Sequence, residues 1–331
     1  MKIKIYIITY FLFGLCVFQN AQGQQQAAYP AGIIFDSDMG PDYDDVGAIT
    51  LLHAFADEGK IKILATMAST RYDHVAAVLN VFNTYFRRSE IPIAVPRQNG
   101  LLLRDWQHWT DTLVLKYPHS IKTNAEVPEP VDLYRKILSA SADTAISIVT
   151  VGFLTNLAAL LKSPPDKYSA LDGYDLVKKK VKRLVSMGGK FPSGREFNID
   201  QDAASSIYTY SHWPTDVWFS GFEIGEKIKT GLPLIRRESI RHSPVKDVFR
   251  ICIPMAAEDS AGRKSWDETA VLVAANGYSP YYTLQKGRIR IAADGSDSWD
   301  ESGSGQYRLV EREDPEKVRQ VINGLIQHQP Q

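Results

Sequence analysis

Between Ala31 and Asp45 the chain reads AGIIFDSDMGPDYDD, an apolar run that gives way to acid. Ala31 to Phe35 has the length and apolar character of a short buried strand, closing at Asp36. Five carboxylates, those of Asp36, Asp38, Asp42, Asp44 and Asp45, then fall within ten residues. From Asp45 to Ala56 the residues Val46, Ile49, Leu52 and Phe55 recur at helical spacing. Strand, tight turn and helix form the opening unit of an α/β fold, and ligands of open α/β sheets sit beyond the carboxyl ends of the strands. Five negative charges this close repel one another unless something neutralises them. A hard divalent cation such as Ca²⁺ or Mg²⁺ does so, because it prefers oxygen ligands. Gly40 and Pro41 let the chain turn back so that several carboxylates converge, and the helix that follows offers partial positive charge at its N-terminus. A polar turn with an aspartate N-cap explains one of these residues, not five. The alternating acidic loop of an EF-hand, ending in a glutamate, is absent.

Strand-like and helix-like stretches alternate through the rest of the chain. Ile61–Met67, Ile146–Val151, Val181–Met187 and Val217–Phe219 read as strands. Val75–Phe86, Val131–Leu138, Thr155–Leu161, Asp267–Ala275 and Pro315–Ile326 read as helices. Such alternation implies parallel pairing through right-handed crossovers. The expected fold class is α/β, an open and mostly parallel central sheet flanked by helices. Asp294 to Gly305 is rich in Gly, Ser and Asp and reads as a surface turn in a small β-appendage. No internal repeat or long low-complexity linker interrupts residues 31–331, which are expected to form one domain.

The 331 residues are 44% hydrophobic and 23% charged, which excludes a disordered chain. Basic and acidic residues number 38 each, so the basic excess of a nucleic-acid-coating surface is missing. Lys178-Lys179-Lys180 reads as a solvated face. Lys2 and Lys4 precede an almost wholly apolar run from Ile5 to Phe18, short for a membrane span and suited to a signal peptide. Ala21 and Gly23 are small residues placed for cleavage before Gln24. Residues 1–23 are therefore expected to be a signal peptide and 24–30 a flexible lead-in. The mature protein is then exported, periplasmic or secreted, with no stable membrane span. A lipoprotein anchored at Cys16 is disfavoured by the bulky Leu15 before it. Cleavage leaves Cys252 as the only cysteine, which excludes an internal disulfide and thiolate metal sites.

The acidic segment resembles the N-terminal signature of the nucleoside hydrolases of the inosine–uridine preferring type, Asp-x-Asp-x-Gly-x-Asp-Asp. Two extra residues make it Asp-x-Asp-x-Gly-x-Asp-x-Asp-Asp here. Three later stretches follow in family order. Val151-Gly152-Phe153-Leu154-Thr155-Asn156 is similar to the family's Gly-Pro-Leu-Thr-Asn segment. Met187-Gly188-Gly189 with Glu196-Phe197-Asn198 is similar to its Met-Gly-Gly and Glu-Phe-Asn pair, and Trp266-Asp267-Glu268-Thr269-Ala270 to its His-Asp-x-x-Ala. The resemblance implies a Rossmann-like nucleoside hydrolase fold, a homo-oligomer, and hydrolysis of a small-molecule ribonucleoside to base and ribose. It implies Ca²⁺ held by Asp38, Asp45, Asp267 and the Val151 carbonyl. It makes Asp38 the general base that takes a proton from the attacking water. It assigns the ribose to Glu196, Asn198 and either Asp44 or Asp42, with Asp44 favoured, and leaves Asp36 as support behind the site.

Three departures bear on the substrate. Trp266 stands where many relatives have a histidine that helps the base leave. Tryptophan is no general acid at neutral pH, yet it can stack on a base or sugar, or pack in the core. Ser69-Thr70-Arg71-Tyr72-Asp73-His74 stands where the family often has an asparagine near the ribose, so Arg71, Tyr72 or His74 could point into the pocket. Lys190 lies near the place of a second missing asparagine. Trp106, His108, Trp109 and His119 fall in a segment without clear period, a loop that could cover the pocket and supply a proton, while His53 inside the first helix reads as structural. Two rival readings remain. A haloacid-dehalogenase-type phosphatase also has Asp-x-Asp after its first strand, but Gly40 and the lack of a later Lys and Asp-Asp constellation weaken it. A secreted, non-catalytic nucleoside- or sugar-binding protein draws support from Trp266.

Overall fold

The apolar run after residue 30 forms strand β1, Ala31–Ser37, in a computed structural model that describes residues 31–279 and 281–330. Side chains alternate along it. Ile33 and Phe35 enter one hydrophobic cluster and Ile34 the other, so both faces of the strand are covered, as befits a parallel sheet. The strands that follow are β2 (Ile61–Ala68), β3 (Ile93–Ala94), β4 (Ile146–Thr150), β5 (Val181–Met187), β6 (Ser193–Arg195) and β7 (Asp216–Ser220). After them come β8 (Lys229–Thr230), β9 (Arg263–Lys264), β10 (Tyr282–Ile291), β11 (Ser296–Asp300) and β12 (Gln306–Glu311). One sheet runs β3-β2-β1-β4-β5-β7-β12-β10-β11-β6, and β8 pairs with β9 apart from it. Pairings from β3 to β12 are parallel, and those from β12 to β6 antiparallel. The β-appendage expected near Asp294–Gly305 thus continues the main sheet rather than standing apart from it.

Helices Asp44–Asp57, Val75–Tyr85, Pro130–Ala140, Thr155–Lys162, Trp266–Asn276 and Pro315–Leu325 agree with the expected ones to within two residues, the normal uncertainty of helix ends. The segment expected as a loop around residues 106–119 differs. Trp109–Lys116 is a helix whose first residue is fully buried, because Trp109 and Leu113 pack into the core one turn apart. Of the lysine run, Lys178 and Lys179 are exposed, while Lys180 ends the helix Gly173–Lys180 and donates to the Ser141 carbonyl (2.7 Å). The expected signal peptide, its cleavage point, Cys16 and the lead-in lie outside the described residues. Among the described residues no helix is long and apolar enough to cross a membrane.

His53 is structural. Its ring is fully buried and stacked on Phe86 (4.6 Å), and its Nε2 lies 3.2 Å from the Asn83 side-chain oxygen. Burial pushes its pKa down to about 3, helped by the nearby Arg88 charge. The unfolded chain therefore takes up a proton more readily than the folded one. The stability His53 contributes is complete above pH 6.5 and is lost as pH falls towards 3. His53→Gln is expected to flatten the acid side of the stability–pH curve over that window. Urea melts of both proteins from pH 7 to pH 4 test this, and parallel curves would exclude it.

Candidate active site

The loops that leave β1, β4, β5 and β7 open into one cavity of about 250 Å³. Asp38, Asp42, Asp44, Val151, Glu196, Asn198, Trp266 and Asp267 line it, together with Phe222 and Arg263. Glycine makes the convergence possible at Gly152, where a Cβ would come within 2.3 Å of the Asp38 backbone nitrogen. The turn after β1 and the turn after β4 could not approach so closely with any other residue.

The end of β1 divides the acidic residues, since Asp36 lies inside the strand and Asp38 past its last residue, Ser37. Asp36 shares the face of Ile34 and points away from the cavity. It accepts from the Tyr134 hydroxyl (2.8 Å) and from Asn156, which also donates to the Ala68 carbonyl (2.9 Å). Asn156 therefore ties β1 to β2 instead of capping its helix, and Asp36 braces the floor. Asp38, Asp44 and Asp267 are buried in the cavity wall, and Asp45 is buried behind it. Asp44 Oδ2 accepts from the backbone nitrogens of Trp266 (3.1 Å) and Asp267 (3.2 Å), so one acidic helix start caps another. Its Oδ1 accepts from Arg263 (2.9 Å), and Arg263 also pairs with Asp42 and lies 3.7 Å from Asp259. Glu196 caps the short helix Phe197–Gln201, accepting from Asn198 (2.8 Å) and Ile199 (3.1 Å). Asn198 donates to the Val151 carbonyl (2.9 Å), which joins two expected site residues directly.

Burial pushes the pKa of Asp38 up to about 7, with the Glu196 charge adding and Arg263 opposing. Burial and then mutual repulsion hold Asp44, Asp45 and Asp267 well above the usual carboxylate range. Glu268, buried beside them, is raised to about 8 by burial. The protein's own groups thus disfavour ionisation here, with Arg263 the cation in the cavity wall. A bound cation reverses that sign. Among the described residues no group of three His, Cys, Asp or Glu side chains is already gathered as a metal cage. The donor set nevertheless fits a hard cation. Both Asp45 oxygens are buried without a hydrogen-bond partner, and the Ser37 hydroxyl beside them only eases the charge. Asp38, Asp267 and the Val151 carbonyl supply further oxygens.

Several expected pocket residues lie elsewhere. Arg71 donates to the Gly100 carbonyl (2.8 Å), Tyr72 is buried in the core, and His74 faces the Lys122 carbonyl (3.3 Å). His108 pairs with Asp111 and His119 with the Tyr117 carbonyl, so neither reaches the cavity. Lys190 places its ammonium over the Phe222 ring (4.5 Å). Trp266 lines the cavity but is tightly held. Its Nε1 donates to the Phe222 carbonyl (2.9 Å) and its ring packs on Phe222 (5.1 Å). Arg263, Glu268 and Phe222 were not legible as site residues. Glu268 follows Asp267 directly, which was the one available signal. It fits only because Gly47 faces it, where a Cβ would fall 2.0 Å from its Oε1.

A profile of the inosine-uridine preferring nucleoside hydrolases matches residues 33–322. The chain is similar to the pyrimidine-specific ribonucleoside hydrolase RihA of Escherichia coli O9:H4 (strain HS), 31% identical over 192 residues, covering 53% of this chain and 56% of the relative. RihA of Escherichia fergusonii matches to the same extent. The match thus spans about half the length of these curated relatives. Among solved structures, the plant nucleoside hydrolase PpNRh1 superposes with a TM-score of 0.69 at 20% identity, covering 90% of this chain and 99% of that one. The inosine-uridine preferring nucleoside hydrolase from Bacillus anthracis gives 0.69 at 14% identity, with the same coverage. At these identities the likeness is one of fold.

Proposed function

The chain belongs to the inosine-uridine preferring nucleoside hydrolase family, and from that we propose that it hydrolyses the N-glycosidic bond of ribonucleosides, releasing base and ribose. Family membership sets aside the phosphatase reading. The observation that carries the proposal is the buried, partnerless carboxylate of Asp45 beside Asp38 and Asp267. Asp38, Asp45, Asp267 and the Val151 carbonyl would hold Ca²⁺. When bound, the ion supplies a hard positive charge that attracts oxygen ligands and makes water more acidic.

The chain's own residues do the rest. Asp38 accepts the proton of the attacking water as the water oxygen bonds to the anomeric carbon and the carbon–nitrogen bond breaks, the base leaving with the bonding electron pair and taking its proton from solvent. Asp44 and Asp42 stand on the Arg263 side of the sugar, with their side chains tied to that guanidinium. The Asn198 side-chain oxygen and Glu196 orient hydroxyls from the opposite wall. Trp266 lines the cavity with its indole N–H already donated to the Phe222 carbonyl, so it offers no proton to the leaving base. Purified protein incubated with purine and pyrimidine nucleosides is expected to release reducing sugar with Ca²⁺ and to stop with chelator. Adding Ca²⁺ to chelated protein is also expected to raise its melting temperature by several degrees, since neutralising buried like charges stabilises the fold. The absence of both sugar release and a thermal shift would sink the proposal.

A non-catalytic, nucleoside-binding role draws on one observation, that among the described residues no histidine lines the cavity. Tight binding with no sugar release would favour it. We further propose that the protein is exported behind residues 1–23 and assembles as a homo-oligomer. N-terminal sequencing of the mature protein and light scattering test these two points.

A further inference from the structure

The two extra residues of the acidic turn leave two aspartates, Asp42 and Asp44, where the family signature has one before Asp45. Their hydrogen bonds separate them. A carboxylate has about four acceptor directions, two on each oxygen. Asp44 fills all four. Its Oδ2 accepts from the backbone nitrogens of Trp266 (3.1 Å) and Asp267 (3.2 Å), and its Oδ1 accepts from Arg263 Nε (3.3 Å) and Nη2 (2.9 Å). Although Asp44 lines the cavity, its side chain is 2% exposed and offers a ligand hydroxyl no open lone pair. Its partners all belong to the segment Arg263–Asp267, while Asp44 itself opens the helix Asp44–Asp57. Asp44 therefore pins the start of the helix Trp266–Asn276, and Asp267 with it, to the start of the first helix.

Asp42 is the opposite case. Arg263 Nη2 and the Tyr43 backbone nitrogen (2.8 Å) both donate to its Oδ1. Neither bond uses Oδ2, the side chain is 34% exposed, and Asp42 lines the same cavity. Arg263 makes the arrangement possible, because its Nη2 donates to both carboxylates at once. Asp42 is thereby held in the cavity wall with one oxygen engaged and the other open. A hydrogen bond to a charged acceptor contributes more than one between neutral groups, so an open carboxylate oxygen at a ligand cavity is a strong recognition point for a hydroxyl.

We propose that Asp42, through Oδ2, is the aspartate that accepts a sugar hydroxyl, and that Asp44 is a clamp between two helices that makes no substrate contact. This division reverses the order favoured by the signature, in which the aspartate next to Asp45 meets the ribose. It rests on the nucleoside hydrolase reading above for its choice of a sugar as ligand.

Adenosine, uridine and their 2′-, 3′- and 5′-deoxy analogues test it. Each is assayed for kcat/KM and titrated by calorimetry into wild type, Asp42→Ala, Asp42→Asn and Asp44→Ala, all with Ca²⁺. Asp42→Ala is expected to weaken binding of the two ribonucleosides and to lower their kcat/KM by about 10–100-fold. That loss disappears for the deoxy analogue lacking the hydroxyl that Asp42 meets, because both deletions then remove the same bond. Asp42→Asn, which keeps an acceptor oxygen, recovers part of the loss. Asp44→Ala is expected to lower the melting temperature by several degrees, through the lost helix cap, and to keep the wild-type ratio between parent and deoxy nucleosides. If Asp44→Ala does not fold, the Asp42 comparison decides the matter alone. Unchanged binding and turnover in Asp42→Ala, an equal loss on every analogue, or collapse of the parent-to-deoxy ratio in Asp44→Ala would overturn the inference. Binding that depends on Asp42 in this way without turnover of any nucleoside upholds the inference and overturns the hydrolase reading. Turnover indifferent to Asp42 does the reverse, and no binding of any nucleoside overturns both.

Discussion

Asp38→Asn is expected to lower kcat by about 10³-fold, within the 10²–10⁴ range for loss of a positioned general base. Asp38 is the acidic residue that combines three features. It lines the cavity, it follows directly from the strand that anchors the floor, and it is pressed into place by Gly152. Asparagine keeps the size and one oxygen of the side chain but cannot hold the proton of an attacking water. The variant should still show the Ca²⁺-dependent rise in melting temperature, reduced but present, because the amide oxygen remains a possible ligand. Measuring kcat at saturating Ca²⁺ beside the thermal shift separates proton transfer from metal loss. A kcat within threefold of wild type would remove Asp38 from its role as base.

Asp45→Asn should have opposite effects in the two metal conditions. Asp45 is fully buried, has no hydrogen-bond partner, and sits among the like charges of Asp38 and Glu268. In chelator the substitution removes a carboxyl that burial and its like-charged neighbours hold well above the usual carboxylate range, and it is expected to stabilise the protein increasingly as pH rises. In Ca²⁺ it removes a charged ligand, so most of the calcium-induced thermal shift should vanish. Paired thermal melts of wild type and variant, with Ca²⁺ and with chelator, give both signs in one experiment. The same calcium shift in both proteins would remove Asp45 from the metal site.

Local pattern carried much of the fold. Residues of the six expected helices and of β1, β2, β4, β5 and β7 repeat at the periods of their elements, so they were legible without a partner. The helix Pro244–Cys252 is not among the expected elements although its start has a clear signal, Ser243 accepting from Lys246 with Pro244 in the first turn. The helix Trp109–Lys116 had less to show. His108 before it is left-handed and makes no side-chain cap, and the apolar residues are buried on one short face only.

The amino-acid sequence by itself determined the α/β class, the acidic turn after the first strand, and the identity of most cavity-lining residues. The first two follow from short-range spacing, which survives without knowledge of what packs where, and the third from the motifs that resemble the nucleoside hydrolase family. Only the tertiary structure decided what those residues do to each other. Arg263 lies about 220 residues from Asp42 and Asp44 in the chain, yet it donates to both. Glu268 joins the acidic cluster only because its helix meets Gly47 of another. Trp266 lost its free faces to Phe222 and Arg263, and the open aromatic surface passed to Trp106 and Phe197. Sheet order sets such meetings. Burial then sets their strength, since charges and unpaired acceptors that water would screen interact strongly once water is excluded.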